Sequence, residues 1–408
     1  MLQSITLLGS ASGRNAGDAA LLAAIMDSID EACAEKLLYE IPSLNPNFIR
    51  ENYSNRVRPI GVMPWHASLR LLGVPTLRSL LRTDMSLIFD ATLFDRALFN
   101  PMFNFLSSYA VLLPIAKKRG KLMGCFTSTI GPVRTPRGRD MLRRVLELMD
   151  FITIRDVGDL RAMREAGVTN PNVVLTNDAA LLTHACSVQR AQQIRQSLGL
   201  NANQEVLALN VNRYFNSWSG GQRNPMTHEE FVNTYVAGLE EGLKEVDAQL
   251  LFVSTQHMDE TLTREIMEKV NLPQHKALLS NREYGHAEIC GVLSGVSLLS
   301  AMRLHCLLLA SVSAVPVIGI NYLPKVRTYM ETLEILEYSL DFDDFSAESV
   351  AEHLRRGWRD RPKLRALMQE RIPRMQEQVR LAPAIVAALH RGESISPIID
   401  KHRAKYPD

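Results

Sequence analysis

Short runs of continuously apolar residues, each followed by a longer helical pattern, constrain this chain more than anything else in it. In the first half the runs are SITLLGS (4–10), LLYEI (37–41), MSLIFDA (85–91), KLMGCFTS (121–128), FITIRD (151–156) and VVLTND (173–178). A strand with one face in water alternates polar and apolar residues. These mostly do not alternate, which is how strands read when a parallel sheet is covered on both faces. Helical stretches lie between them, such as AALLAAIMDSIDEACAEK after Asp18 and GRDMLRRVLELMD (138–150). Around 184–204 the chain turns polar, as one helix and a linker. The alternation then restarts with EVLALNVN (205–212), QLLFVST (249–255), ALLSN (277–281), VSLLSA (296–301) and VPVIGINY (315–322). The pattern predicts an α/β chain with two Rossmann-like, doubly wound domains facing across a cleft. Their expected ranges are 1–190 and 200–350, with a charged helical tail over 351–408. The length of 408 residues agrees, being too long for one typical core.

Composition excludes several classes. A net charge of +2 gives no bulk attraction to nucleic acid. Five cysteines, odd in number and without CxxC spacing, read as reduced thiols of a cytosolic protein and not as a metal or disulfide set. The N-terminus lacks the basic region of a signal peptide and reads as a first strand. Residues 304–323 are long and apolar enough to suggest a membrane span. Pro316 and the β-branched residues around it favour helix, break and buried strand instead.

That same stretch, SAMRLHCLLLASVSAVPVIGINYLPK (300–325), carries the sharpest chemistry. Arg303 and His305 fall between a strand and a helix. In open α/β sheets, ligands bind at the carboxyl ends of strands, and a helix N-terminus there favours an anion. A guanidinium can fork onto phosphate or carboxylate, and an imidazole can move a proton near neutral pH. Lys325 follows the next parallel strand and reaches the same sheet edge. Each residue alone reads more readily as a core histidine, a structural ion pair or a solvated lysine. Their convergence on one edge favours a site.

GSASGRNAGDAALL (9–22) lies between the first strand and the first helix. It is neither a P-loop nor a G-x-G-x-x-G turn. Gly17 could admit a ligand, Asn15 could fix the turn and Asp18 could cap the helix. Arg155, Arg213 and Asp259 are further polar groups at strand ends. DFDDF (341–345) reads as solvated caps and not as a metal site, so no metal is expected. MPWHASL (63–69) and the apolar run 98–116 read as core, or as a lip for a membrane or an acceptor.

These motifs, in this order, resemble the polysaccharide pyruvyl transferase family. The opening G-x-x-x-G-R-N-x-G-D, TSTIGPV (127–133), FITIRDVGDLRAMREAGV (151–168), VVLTNDAALL (173–182) and the Arg-Leu-His to Tyr-x-x-Lys segment carry the resemblance over roughly residues 5–330. One departure is FDATLFDRALF (89–99), where many members have a Gly-Gly turn. The resemblance implies a GT-B-like fold, phosphoenolpyruvate as co-substrate with no separate cofactor, and a saccharide acceptor. The product is a pyruvate ketal, and phosphate leaves. With that chemistry, His305 is expected as the acid or base, Arg303, Leu304 and Lys325 facing the donor, and Asn15, Gly17 and Asp18 facing the acceptor. Strand-end placement alone adds Asp259 beside His305, and Arg213 and Arg155 on the donor side. Cytoplasmic placement, at the inner membrane face for a lipid-linked acceptor, would fit. Two other readings stay open: a GT-B glycosyltransferase using a nucleotide sugar, and a non-catalytic member of the family.

Overall fold

The computed structural model describes residues 1–9, 11, 13–53, 56–62, 73–98, 104–213 and 226–407. The chain divides into two compact units. Unit 1 is Met1–Gly13, Leu21–Leu182 and Met375–Asp408; unit 2 is Arg14–Ala20 and Thr183–Arg374.

Unit 1 holds a seven-stranded parallel sheet. Its strands are β1 (Ser4–Leu8), β2 (Leu38–Ser43), β3 (Val57–Gly61), β4 (Met85–Ile88), β5 (Leu122–Ser128), β6 (Phe151–Ile154) and β7 (Val173–Leu175), in the order β3-β2-β1-β4-β5-β6-β7. The helices among them are α1 (Ala16–Cys33), α2 (Pro46–Asn52), α3 (Val74–Arg82), α4 (Leu106–Lys117), α5 (Pro136–Leu146) and α6 (Val157–Glu165). Two apolar cores form. In one, Leu21, Ile25 and Ile29 of α1 pack with Ile5, Leu7 and Leu87. In the other, Leu112 and Leu113 of α4 and Leu142 and Val145 of α5 pack with Leu8, Ile88 and Ile152. Covering both faces requires apolar residues at consecutive strand positions, which is why the runs do not alternate.

Unit 2 holds a six-stranded parallel sheet in the order β10-β9-β8-β11-β12-β13. Its strands are β8 (Val206–Asn210), β9 (Gln249–Ser254), β10 (Lys276–Ser280), β11 (Leu298–Ala301), β12 (Val317–Asn321) and β13 (Ser339–Asp341). The helices are α7 (Val188–Ser197), α8 (His228–Leu243), α9 (Glu260–Lys269), α10 (His286–Leu293), α11 (Leu304–Ser311), α12 (Pro324–Thr332) and the long α13 (Ala347–Val379). Two last helices, α14 (Leu381–Arg391) and α15 (Ser396–Lys405), return to the unit 1 core through Ile385, Val386 and Ile399.

In each sheet the winding direction reverses once, between β1 and β4 in unit 1 and between β8 and β11 in unit 2. Connections there leave the sheet on opposite faces, so the strand ends open a crevice.

Each sheet contains a strand absent from the sequence reading, β3 and β13, and both are edges. The division of the chain also differs from the expected ranges. The second unit begins at Thr183, the tail divides at Arg374, and Arg14–Ala20 goes with unit 2. The apolar run 304–323 splits into α11 and β12. Among the described residues no helix is long and apolar enough to cross a membrane. MPWHASL (63–69) lies outside the described residues, as do 99–103 of the second apolar run. Residues 106–116 of that run lie in α4, whose Leu106, Tyr109 and Leu112 are buried.

Candidate active site

The unit 2 crevice is built from buried polar residues at the ends of apolar strands. Asn210, fully buried, ends β8. Its amide donates to the Val253 carbonyl at 2.9 Å and accepts from Arg303 N at 3.0 Å. One side chain thereby ties the ends of β8 and β9 to the turn after β11. Arg303 is the last extended residue before α11, with φ −94° and ψ 125°.

Arg303 does not stand alone. Nη2 donates to Asp259 Oδ1 at 2.9 Å, and Nε donates to Asp259 Oδ2. This is a bidentate fork. Nη2 also donates to Asn212 Oδ1 at 3.3 Å, and the backbone N of Arg213 donates to Asp259 Oδ1 at 3.0 Å. The side chains are 12% and 0% exposed, so the pair is nearly dry. Burial pulls the guanidinium pKa down, but the hydrogen bond and charge of Asp259 outweigh it and the net direction is up. Burial, and secondarily Asp259 against the opposing Arg303, pushes the Tyr322 hydroxyl nearby up to about 12. Arg303 is therefore a permanent cation with one counter-ion built in. Asp259, expected among the catalytic groups, has both oxygens engaged by Arg303 and the Arg213 backbone. Among the described residues, Nη1 of Arg303 has no hydrogen-bond partner.

His305 sits two residues on, in the first turn of α11, and is 9% exposed. Its ring rests on the first turn of α1. A Cβ built on Gly17 would lie 2.2 Å from His305 Cβ, Cγ and Nδ1. Asp18 Oδ1 lies 3.9 Å from Nδ1. That spacing makes an ion pair when the imidazole is protonated and is too long for a hydrogen bond. Asp18 is itself held by Asn15, whose Nδ2 donates to its Oδ1 at 3.0 Å. Asn15 Oδ1 accepts from Gly17 N at 2.9 Å, so Asn15 caps the helix start. The segment is pinned to the end of β9: Ala16 N donates to Thr255 O at 2.8 Å, and His257 N donates to Arg14 O at 3.1 Å. The loop expected to serve the N-terminal domain thus belongs with His305.

Leu304 is buried, so only its backbone can meet a ligand. Lys325 is half-buried in the first turn of α12, after β12, the neighbour of β11. Arg213 is exposed beyond β8. Arg155 follows β6 in unit 1, buried and bonded to Asp178 at 2.7 Å. Asp178, Asp159, Asp90 and Asp156 all raise its pKa against the lowering by burial. Asn210 and Tyr322 were absent from the expected site. The available signal for Asn210 was an amide in an otherwise apolar strand. The departure at 89–99 also has a geometric answer: Asp90 takes φ +65° and Ala97 φ +52°, the left-handed conformation that glycine adopts freely.

The described architecture is that of the GT-B class, with two Rossmann-like units. HepE from Anabaena, crystallised with UDP and glucose, aligns over 99% of both chains with a TM-score of 0.55 and 11% identity. MnaA of S. aureus, in a structure with UDP, aligns over 96% of both chains at 0.59 and 12%. WaaG, a glycosyltransferase of lipopolysaccharide biosynthesis, covers 95% of this chain and is covered over 98% of its own, at 0.53 and 13%. At such identities the likeness is one of fold. No curated protein matches the chain in sequence. Residues 15–324 match the family described as polysaccharide pyruvyl transferase, and the chain belongs to that family.

Proposed function

We propose that the unit 2 crevice binds phosphoenolpyruvate and transfers its pyruvyl unit to a pair of hydroxyls on a saccharide, releasing phosphate. One observation carries this reading. An Arg-Leu-His turn enters a helix N-terminus at the strand-order reversal, its guanidinium fixed by Asp259 and its imidazole fixed by Gly17 and Asp18. Phosphoenolpyruvate presents a phosphate and a carboxylate. Nη1 of Arg303, the first N–H groups of α11 and Lys325 supply cations and donors for both.

In this scheme His305 gives a proton to the methylene carbon, and C2 becomes oxocarbenium-like. A sugar hydroxyl adds to C2 and returns its proton to His305. The bond from C2 to the phosphate oxygen then breaks. The second hydroxyl adds to C2, and its proton leaves with phosphate. A positioned general acid is worth typically ~10²–10⁴-fold. Asp18, 3.9 Å from Nδ1, pairs with the ring when it is protonated. Asn15 and Gly17 support Asp18 and His305, and in this reading the three residues Asn15, Gly17 and Asp18 face the acceptor. Phosphoenolpyruvate is a co-substrate here, and the scheme uses no separate cofactor. A cytoplasmic setting supplies it.

The test is phosphate release from phosphoenolpyruvate with a panel of saccharides. Acceptor-dependent release by the wild type, lost in His305→Ala with the fold retained, supports the scheme. Consumption of a UDP-sugar with phosphoenolpyruvate untouched would replace it with glycosyl transfer. Release at wild-type rate by His305→Ala removes the acid role.

A further inference from the structure

The net charge of +2 hides an uneven distribution. The 28 residues from Lys117 to Arg144 hold nine Lys and Arg against one acid, Asp140; the remainder holds 37 basic and 43 acidic residues. All of this stretch lies in unit 1. Its strand, β5, carries no charge, so the cations sit on helix faces and turns. α4 and α5 pack side by side and turn Leu112, Leu113, Leu142 and Val145 into one core. Their opposite faces meet water. Lys118, Arg119, Arg134, Arg143 and Arg144 are exposed. Some of the nine are paired: Lys117 lies 2.8 Å from Asp150, and Arg143 and Arg144 each lie 2.9 Å from Asp140.

The exposed side of α4 also carries bare aliphatic groups. Val111 and Ile115, one turn apart on α4, are 56% and 40% exposed, and Lys118 and Arg119 continue their stripe. A soluble helix gains nothing by showing both. A helix lying on lipid uses both: aliphatic side chains enter the headgroup–acyl boundary and cations meet lipid phosphates. A nucleic acid would need the cations but would be met by stacking aromatics, not by a Val-Ile pair.

We propose that the outward face of α4 and α5 docks on an anionic lipid surface, with Val111 and Ile115 inserted. The surface belongs to unit 1, and the proposal stands whatever reaction the unit 2 crevice performs.

The experiment is co-sedimentation of the full chain with vesicles of phosphatidylcholine alone or mixed with phosphatidylglycerol, at low and high salt. Binding is expected only to the anionic vesicles and is expected to weaken with salt. Arg119→Gln with Arg144→Gln should lower the partition coefficient about 25-fold, at roughly fivefold per cation. Val111→Ser with Ile115→Ser should also weaken binding while leaving the salt dependence unchanged. Arg403→Gln, on α15, should leave binding as it is. Equal binding to neutral vesicles overturns the proposal, as does no binding by the wild type. Unchanged binding by the double Gln variant, or tighter binding to an RNA of arbitrary sequence than to anionic vesicles, overturns it too.

Discussion

Gly17 shows what one missing methyl group can secure. Its α-carbon faces the His305 ring with no space for a side chain, so Gly17→Ala must displace the imidazole. Overpacking of this kind costs about 1–3 kcal/mol. The variant should keep its fold by circular dichroism yet lose about 10²-fold or more of phosphate release, as proton transfer is misaligned. At the other end of the turn, Asp259→Ala leaves Arg303 charged, nearly buried and uncompensated. The expected loss is about 3–5 kcal/mol in denaturant unfolding. The placement of these residues was legible: Arg303 and His305 fall where an apolar strand gives way to a helix, as the sequence pattern predicts. The Arg303–Asp259 fork was not legible, because its partners are 44 residues apart and only the adjacency of β9, β8 and β11 brings them together. Gly17 looked like room for a ligand, and the room is filled by the protein itself.

Helix α6 carries the clearest pH response among the elements. Asp156 and Asp159 form a capping box at its start, and Asp159 Oδ1 also accepts from Ile130 N at 2.6 Å. Burial, then the neighbouring charge of Asp156, pushes the Asp159 carboxyl up to about 7. Between the ordinary value of 3.8 and about 7, the folded chain keeps a proton that the unfolded chain has released. The group's contribution to stability is therefore complete below that window and lost as pH rises through it. Asp159→Asn should flatten that part of the curve, visible as a smaller difference between urea midpoints at acid and neutral pH; an unchanged difference would rule this out. At this scale the central strands were legible and the edges were not. β13 has three residues, and β3 (VRPIG) contains Arg58 and Pro59 and has no buried position, so neither forms an apolar run. An edge strand has one paired side and little burial, and its sequence is correspondingly uninformative.

For the molecule as a whole, the last 34 residues complete the unit that contains the first strand. Val379, Leu381, Ile385, Val386 and Ile399 all lie in the unit 1 core. At about 1.5–3 kcal/mol per buried aliphatic side chain, their loss rivals the whole stability of a domain. A chain ending at Arg374 should therefore lose amide protection in β1, β2 and β4 while keeping it in β8, β9 and β11, as read by hydrogen exchange. Sequence patterning found the two βαβ series but assigned them to contiguous blocks, since periodicity reports what an element is and not which core it joins. The same mismatch bears on anyone dissecting the protein. A recombinant fragment starting at Thr183 would possess an intact sheet and its Arg-Leu-His turn, yet would arrive without the seven-residue splint that braces the imidazole. Silence from such a half-protein in an assay would speak to the cut, not to the chemistry.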